Sequence, residues 1–278
     1  MNGEEGVGKI TRILVAVDAS PLSFAALEAA AELAASLHAE LLGLYIEDIN
    51  LLRAADSPFA REVGHFSGSI RDLDSQRLQR QLRSQAKRVR RRLSQLAERS
   101  QIRWSFRVTR GAIDAELLSA ASDVDLVILG RAGWSGKRQL GSTAQAVASS
   151  APGPALLHAS RTAVTPAILV IYDGSQVAQR ALTTAANLIL GQEGFLSVAI
   201  TAADHEEARR LQIEAAMWLR SRGLQARYRW LFEADEEMVK KLMSVEGECT
   251  LVLPATMLAK EDLVHLLHGL KCPVMVVH

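Results

Sequence analysis

Apolar residues in this chain fall into short unbroken runs, and the stretches between them keep helical spacing. ILVAV at 13–17 and LLGLYI at 41–46 are continuous runs, as expected of strands buried on both faces. Between them Ser20 reads as a helix cap with Pro21 at the first helical position. Phe24, Leu27, Ala31 and Ala34 then recur on one helical face. A third run differs. Ile102, Trp104, Phe106 and Val108 alternate with Arg103, Ser105, Arg107 and Thr109, the pattern of a half-exposed edge strand. A helix near 112–121, a strand at 126–129, a helix at 144–149 and a closing strand at 155–158 complete the series.

The series then repeats in shorter form. ILVAVDAS at 13–20 returns as ILVIYDGS at 168–175, and LVILG at 126–130 as LVLPA at 251–255. PALLH at 154–158 returns as PVMVVH at 273–278, which makes His158 and His278 the ends of equivalent strands. Leu224, Ala226, Tyr228 and Trp230 alternate with Gln225, Arg227 and Arg229 as a second edge strand. The joint falls in ASRTAVTP at 159–166, giving domains of 1–162 and 163–278.

Alternating strands and helices around apolar strands predict an α/β fold. The expectation is two tandem parallel five-stranded sheets of order 3-2-1-4-5, with helices on both faces and a pseudo-twofold relation. The apolar closing strands are expected to pair, since each otherwise leaves an open edge. A ligand crevice is expected beyond the ends of strands 1 and 4, where Asp18 and Gly130 stand.

Composition narrows the classes. The 278 residues are 49% hydrophobic and 23% charged, which excludes pervasive disorder and collagen-like repeats. No apolar run is long enough for a membrane span. The opening MNGEEGVGKITR does not read as a secretory signal. Cys249 and Cys272 supply neither a disulfide framework nor a zinc site, and a reducing cytoplasm is the expected location. A net charge of +1 gives no global field toward nucleic acid or membrane. Residues 71–110 hold thirteen Arg or Lys and three acids, read as the solvated face of an amphipathic helix with an anionic partner as the alternative. His265 and His268 are three apart but lack a third metal ligand. No hydrolase or metalloprotease motif occurs. Residues 49–74, extra in the first copy, read as a lid over the crevice or a tolerated surface insertion.

After strand 4 the chain reads GRAGWSGKRQLGST at 130–143 and then opens a helix. Glycines admit backbone N–H groups close to an anion, and a helix N-terminus adds unpaired donors and partial positive charge. It is not a Walker loop, because Gly136-Lys137 is followed by Arg138. Together, ILVAVDAS, the segment ending DLVILG, the loop ending GST and PGPALLH resemble the universal stress protein family. The resemblance implies a cytoplasmic protein, and one subgroup of that family binds ATP through G-x2-G-x9-G-(S/T). Carried over, Asp18 and Ile46 would lie near adenine and ribose. Leu129, Gly130 and Gly133 would begin the loop, and Gly141, Ser142 and Thr143 would grip phosphate. Seven residues rather than nine separate Gly133 from Gly141, with Gly136, Lys137 and Arg138 placed to compensate.

The second copy keeps Asp173-Gly174-Ser175 but has Pro254 in place of a glycine and no Gly-Ser. It is expected to be a degenerate pairing partner. The resulting expectation is a stress-response protein that binds ATP, with or without Mg²⁺, in its first domain and acts by regulation or interaction. A scaffold that binds no nucleotide and a slow ATP hydrolase or phosphotransferase are the alternatives. The expected partners are an adenine nucleotide and an unidentified protein, with a homodimer left open and nucleic acid not expected.

Overall fold

The computed structural model describes residues 9–57, 61–63, 70–72, 74–131, 140–158, 167–190, 192, 194–232 and 235–278. The joint at 159–166 therefore lies outside the described residues. The first copy runs β1 (Arg12–Ala16), α1 (Pro21–Leu37), β2 (Glu40–Asp48), α2 (Ile49–Ala55), β3 (Arg61–Val63), β4 (Ile70–Asp72), α3 (Ser75–Ser100), β5 (Trp104–Gly111), α4 (Ile113–Ala121), β6 (Leu126–Gly130), α5 (Ser142–Ser150) and β7 (Ala155–His158). The second runs β8 (Ala167–Tyr172), α6 (Gln176–Ile189), β9 (Phe195–Thr201), α7 (His205–Arg220), β10 (Ala226–Leu231), α8 (Glu236–Glu246), β11 (Thr250–Pro254), α9 (Lys260–Gly269) and β12 (Val274–Val277).

The strand order is β5-β2-β1-β6-β7-β12-β11-β8-β9-β10. Each half is the expected 3-2-1-4-5 arrangement. The two halves are joined by the expected pairing of their closing strands. β7 pairs antiparallel with β12, matching Leu157 to Val274, Leu156 to Met275 and Ala155 to Val276, so one ten-stranded sheet results. All other pairings in this sheet are parallel. The physical reason is edge closure: every residue of β7 and β12 is buried, and an unpaired backbone there would be left without partners.

Local chemistry sets the elements. The Ser20 hydroxyl accepts from Ser23 N–H at 3.2 Å and Pro21 opens α1, as the sequence predicts. Ile13, Leu14 and Val15 of β1 are fully buried. In α3, Leu78, Leu82, Ala86, Val89, Leu93 and Leu96 form the buried stripe, while Arg77, Arg80, Arg83, Arg90 and Arg91 are exposed. β5 and β10 are the outer strands and the more exposed ones.

Antiparallel pairing at the seam keeps corresponding helices on the same face. One face packs residues of α1, α3, α6 and α7 into a single apolar cluster, with Leu156 and Met275 at the seam. The other packs α4, α5, α8 and α9 with Ala155, Leu157, Val274 and Val276. Both cores therefore cross the seam.

Leu156→Ala removes a fully buried seam side chain. A loss of about 2–5 kcal/mol of stability is expected, read as a lower urea midpoint at unchanged slope. A loss under about 0.5 kcal/mol would mean the seam is not part of the core.

Candidate functional site

β1 and β6 pair side by side, but β1 continues into α1 on one face and β6 leads toward α5 on the other. A crevice opens where they part. The turn after β1 is built by Asp18, whose Oδ1 accepts from Ser20 N–H at 2.9 Å. This turn forces Ala19 to φ 63°, a left-handed conformation. The second copy repeats the turn, with Asp173 Oδ1 accepting from Ser175 N–H at 2.9 Å, but places Gly174 at φ 79°. Ala19 thus holds a position that the repeat gives to glycine. Arg88 of α3 donates to its carbonyl at 2.7 Å.

At the end of β6, Gly130 passes close to the first turn of α1. A Cβ there would stand 3.2 Å from the Leu22 carbonyl oxygen. Across the crevice, α5 begins at Ser142, two residues before the start that the sequence pattern suggests, with Gly141 as its cap. Ser142 and Thr143 are consequently its first helical residues. Its first turn holds no acidic residue, so the partial positive charge of the helix end is uncompensated by carboxylates there.

A cavity of about 350 Å³ brings together Asp18, Ile46, Leu129, Gly130, Gly141, Ser142 and Thr143. Gly133, with 132–139, lies outside the described residues. Sequence reasoning missed Ala16, Leu44, Ile113, Leu117 and Arg131, which also line the cavity. Ile113 and Leu117 are one helical turn apart on α4, a signal that could have placed them together. Of the extra segment, Leu52 and Ala55 of α2 pack with Leu78 and Leu82 of α3, and residues 49–57 do not line the cavity; residues 58–60, 64–69 and 73, on which the lid reading also falls, lie outside the described residues.

Arg131 leaves the cavity wall for the other half of the chain. Its guanidinium donates to the carbonyls of Leu267, Leu270 and Cys272, where α9 ends. Those carbonyls belong to a helix end with few internal partners, and a cation is well matched to it. Burial pulls the Arg131 pKa below its usual value, yet an arginine remains charged. Its backbone N–H donates to the His158 carbonyl at 3.1 Å, just as Ala255 N–H donates to Val277 at 2.7 Å. The register agrees, pairing Gly130 with His158 and Pro254 with Val277. His158 is therefore equivalent to Val277, and the expected match to His278 is one residue out.

The corresponding helix starts of the second copy are more acidic. A second cavity there is lined by Asp235, Glu236, Glu237 and Asp262 together with Lys240, which is ion-paired to Glu236. Glu236 and Glu237 begin α8, and Glu261 and Asp262 begin α9, so carboxylates already neutralise both helix ends. Among the described residues, no group of three or more His, Cys, Asp or Glu is arranged to hold a metal.

The fold and crevice define a tandem doubly wound α/β protein with an anion-compatible helix end in its first half. A family model described as the universal stress protein family matches residues 9–158, and the chain belongs to that family. No curated protein matches it. Its fold is similar to a universal stress protein from Archaeoglobus fulgidus DSM 4304, with a TM-score of 0.74 at 15% identity over 98% of both chains. It is also similar to a functionally unknown protein from Pseudomonas aeruginosa PAO1, with a TM-score of 0.60 at 13% identity over 99% of this chain and 94% of that one. The cytoplasmic domain of a prokaryotic cation chloride cotransporter matches at a TM-score of 0.50 and 11% identity, over 97% of this chain and 95% of that one. These likenesses establish the fold, and the same fold serves different proteins. No described helix is long and apolar enough to cross a membrane.

Two outcomes follow from the site. Ala19→Gly relieves the left-handed strain and is expected to raise stability by about 1 kcal/mol, less the added freedom of the unfolded chain. A lower melting temperature would contradict that strain. His158 is buried with no partner at Nδ1; burial first, then the Arg131 charge, push its pKa down to about 4. The unfolded chain takes up this proton near pH ~6.5. Stability from the neutral imidazole is therefore complete above that pH and is lost progressively as pH falls toward about 4. His158→Val, the residue of the other half, should flatten that part of the stability profile; an identical profile would refute the assignment.

Proposed function

We propose that the chain binds an adenine nucleotide, ATP with Mg²⁺ accompanying its phosphates, once per chain in the first-half crevice. It then acts by regulation or interaction in a cytoplasmic setting. The proposed organisation is a nucleotide-binding domain over 1–162 and a shortened domain over 163–278 that does not bind. The observation that carries this reading is one cavity joining Asp18, Ile46, Leu129, Gly130, Gly141, Ser142 and Thr143 at an α5 end free of acids in its first turn. Ile46 and Leu129, with Leu44 and Leu117, offer an apolar wall to a planar base. Gly141 N–H is already committed to the Arg131 carbonyl at 2.8 Å, so the Ser142 and Thr143 N–H and hydroxyl groups would meet the phosphates. The acidic character of the second cavity supports a single site.

Purified protein should release adenine nucleotide on denaturation. ATP at about 100 times its dissociation constant adds roughly 2.7 kcal/mol, a rise in melting temperature of several degrees. Gly141 has φ −64°, open to any residue, so Gly141→Val with Ser142→Ala adds bulk and removes a hydroxyl without backbone strain. That variant should lose the shift, and Asp173→Ala should keep it. Calorimetry giving two equal sites, or none at millimolar ATP, would overturn the reading.

A further inference from the structure

The first-half crevice is held from the second half at both ends of the segment 131–140. At one end, Arg131 reaches three carbonyls at the close of α9. At the other, Leu140 N–H donates to His268 Nδ1 at 3.3 Å, and His268 lies in the last turn of α9. The two ends are tied together by Gly141 N–H donating to the Arg131 carbonyl at 2.8 Å. Gly141 caps α5, so whatever fixes Arg131 and Leu140 also fixes where the α5 donors point. Among the described residues the tie has no counterpart in the other direction: Ala255 occupies the position equivalent to Arg131, and its methyl group carries no donor.

We propose that the end of α9 is a positioning element for the crevice, with Arg131 and His268 as its positioning residues, so that nucleotide occupancy and the order of α9 are coupled. This rests on the nucleotide reading above and deepens it: the second half keeps no site of its own but sets the geometry of the first. Coupling of this kind is reciprocal. A ligand that prefers the held arrangement tightens α9, and loosening α9 weakens the ligand. The exposed side of α9, with Glu261, Asp262 and His265, would then report the state of the crevice to anything docked on it.

The test uses the full chain and hydrogen exchange read by mass spectrometry. Without ligand, Arg131→Ala should speed exchange in peptides covering both 140–146 and 264–272. With saturating ATP, wild type should gain protection in both segments; Arg131→Ala should gain it only in 140–146. ATP affinity should fall about tenfold in Arg131→Ala and by a smaller factor in His268→Ala, in line with a few lost hydrogen bonds. His268 is exposed, so its variant folds even if Arg131→Ala does not. Arg131→Lys, one charge without the fork, should recover only part of the affinity. Gln192→Ala removes another bond across the seam, Nε2 to Ser36 Oγ at 3.3 Å on the opposite face, and should leave affinity unchanged. If wild type binds ATP while 264–272 is unaffected and His268→Ala and Arg131→Ala bind as well as wild type, the coupling is wrong and the nucleotide reading stands. If wild type binds no ATP, that reading fails. The positioning role is then decided by the ligand-free comparison, and unchanged exchange at 140–146 overturns it.

Discussion

The antiparallel pairing of β7 with β12 is the contact on which the rest of the molecule depends. Three residue pairs, Leu157 with Val274, Leu156 with Met275 and Ala155 with Val276, turn two five-stranded edges into the centre of one sheet. Because the strands run oppositely, matching helices meet on matching faces and each apolar cluster continues across the join. Neither half ends in an open closing strand, and the first half's crevice gains a neighbour, α9, close enough to hold it.

Much of the fold was legible because the signals were local. ILVAV at 13–17 reads as a strand buried on both faces, and Ser20-Pro21 as a helix start, from neighbouring residues alone. The alternation at 102–109 identified an outer strand because charge on one face has only water to meet. Most of the crevice could also be placed, since strand ends in this topology converge wherever the order reverses.

What could not be read depends on distant partners or on backbone angle. Arg131 looks like any loop cation until α9 is in view, and its carbonyl partner Leu267 lies 136 residues away. Ala19 carries no mark of its left-handed angle, which only the comparison with Gly174 brings out. Matching the two closing strands by their final histidines puts His158 one place out, because a register is set by backbone pairing and not by residue likeness. The second half was expected to lack the glycines; the acidic character of its cavity comes from Asp235, Glu236, Glu237 and Asp262, which meet only in three dimensions.

The central position of β7 has a consequence for how the chain is made. Its partner β12 follows every other element of the second half, so during synthesis the first half can complete its own five strands long before that partner exists. Through that interval an apolar strand, buried along its whole length in the finished molecule, presents an open edge. Pairing across so great a sequence distance is slow to form. A strand buried along its whole length in the native sheet is thus the one longest at risk of joining a stranger, and a folding helper would be of most use to this chain during that interval.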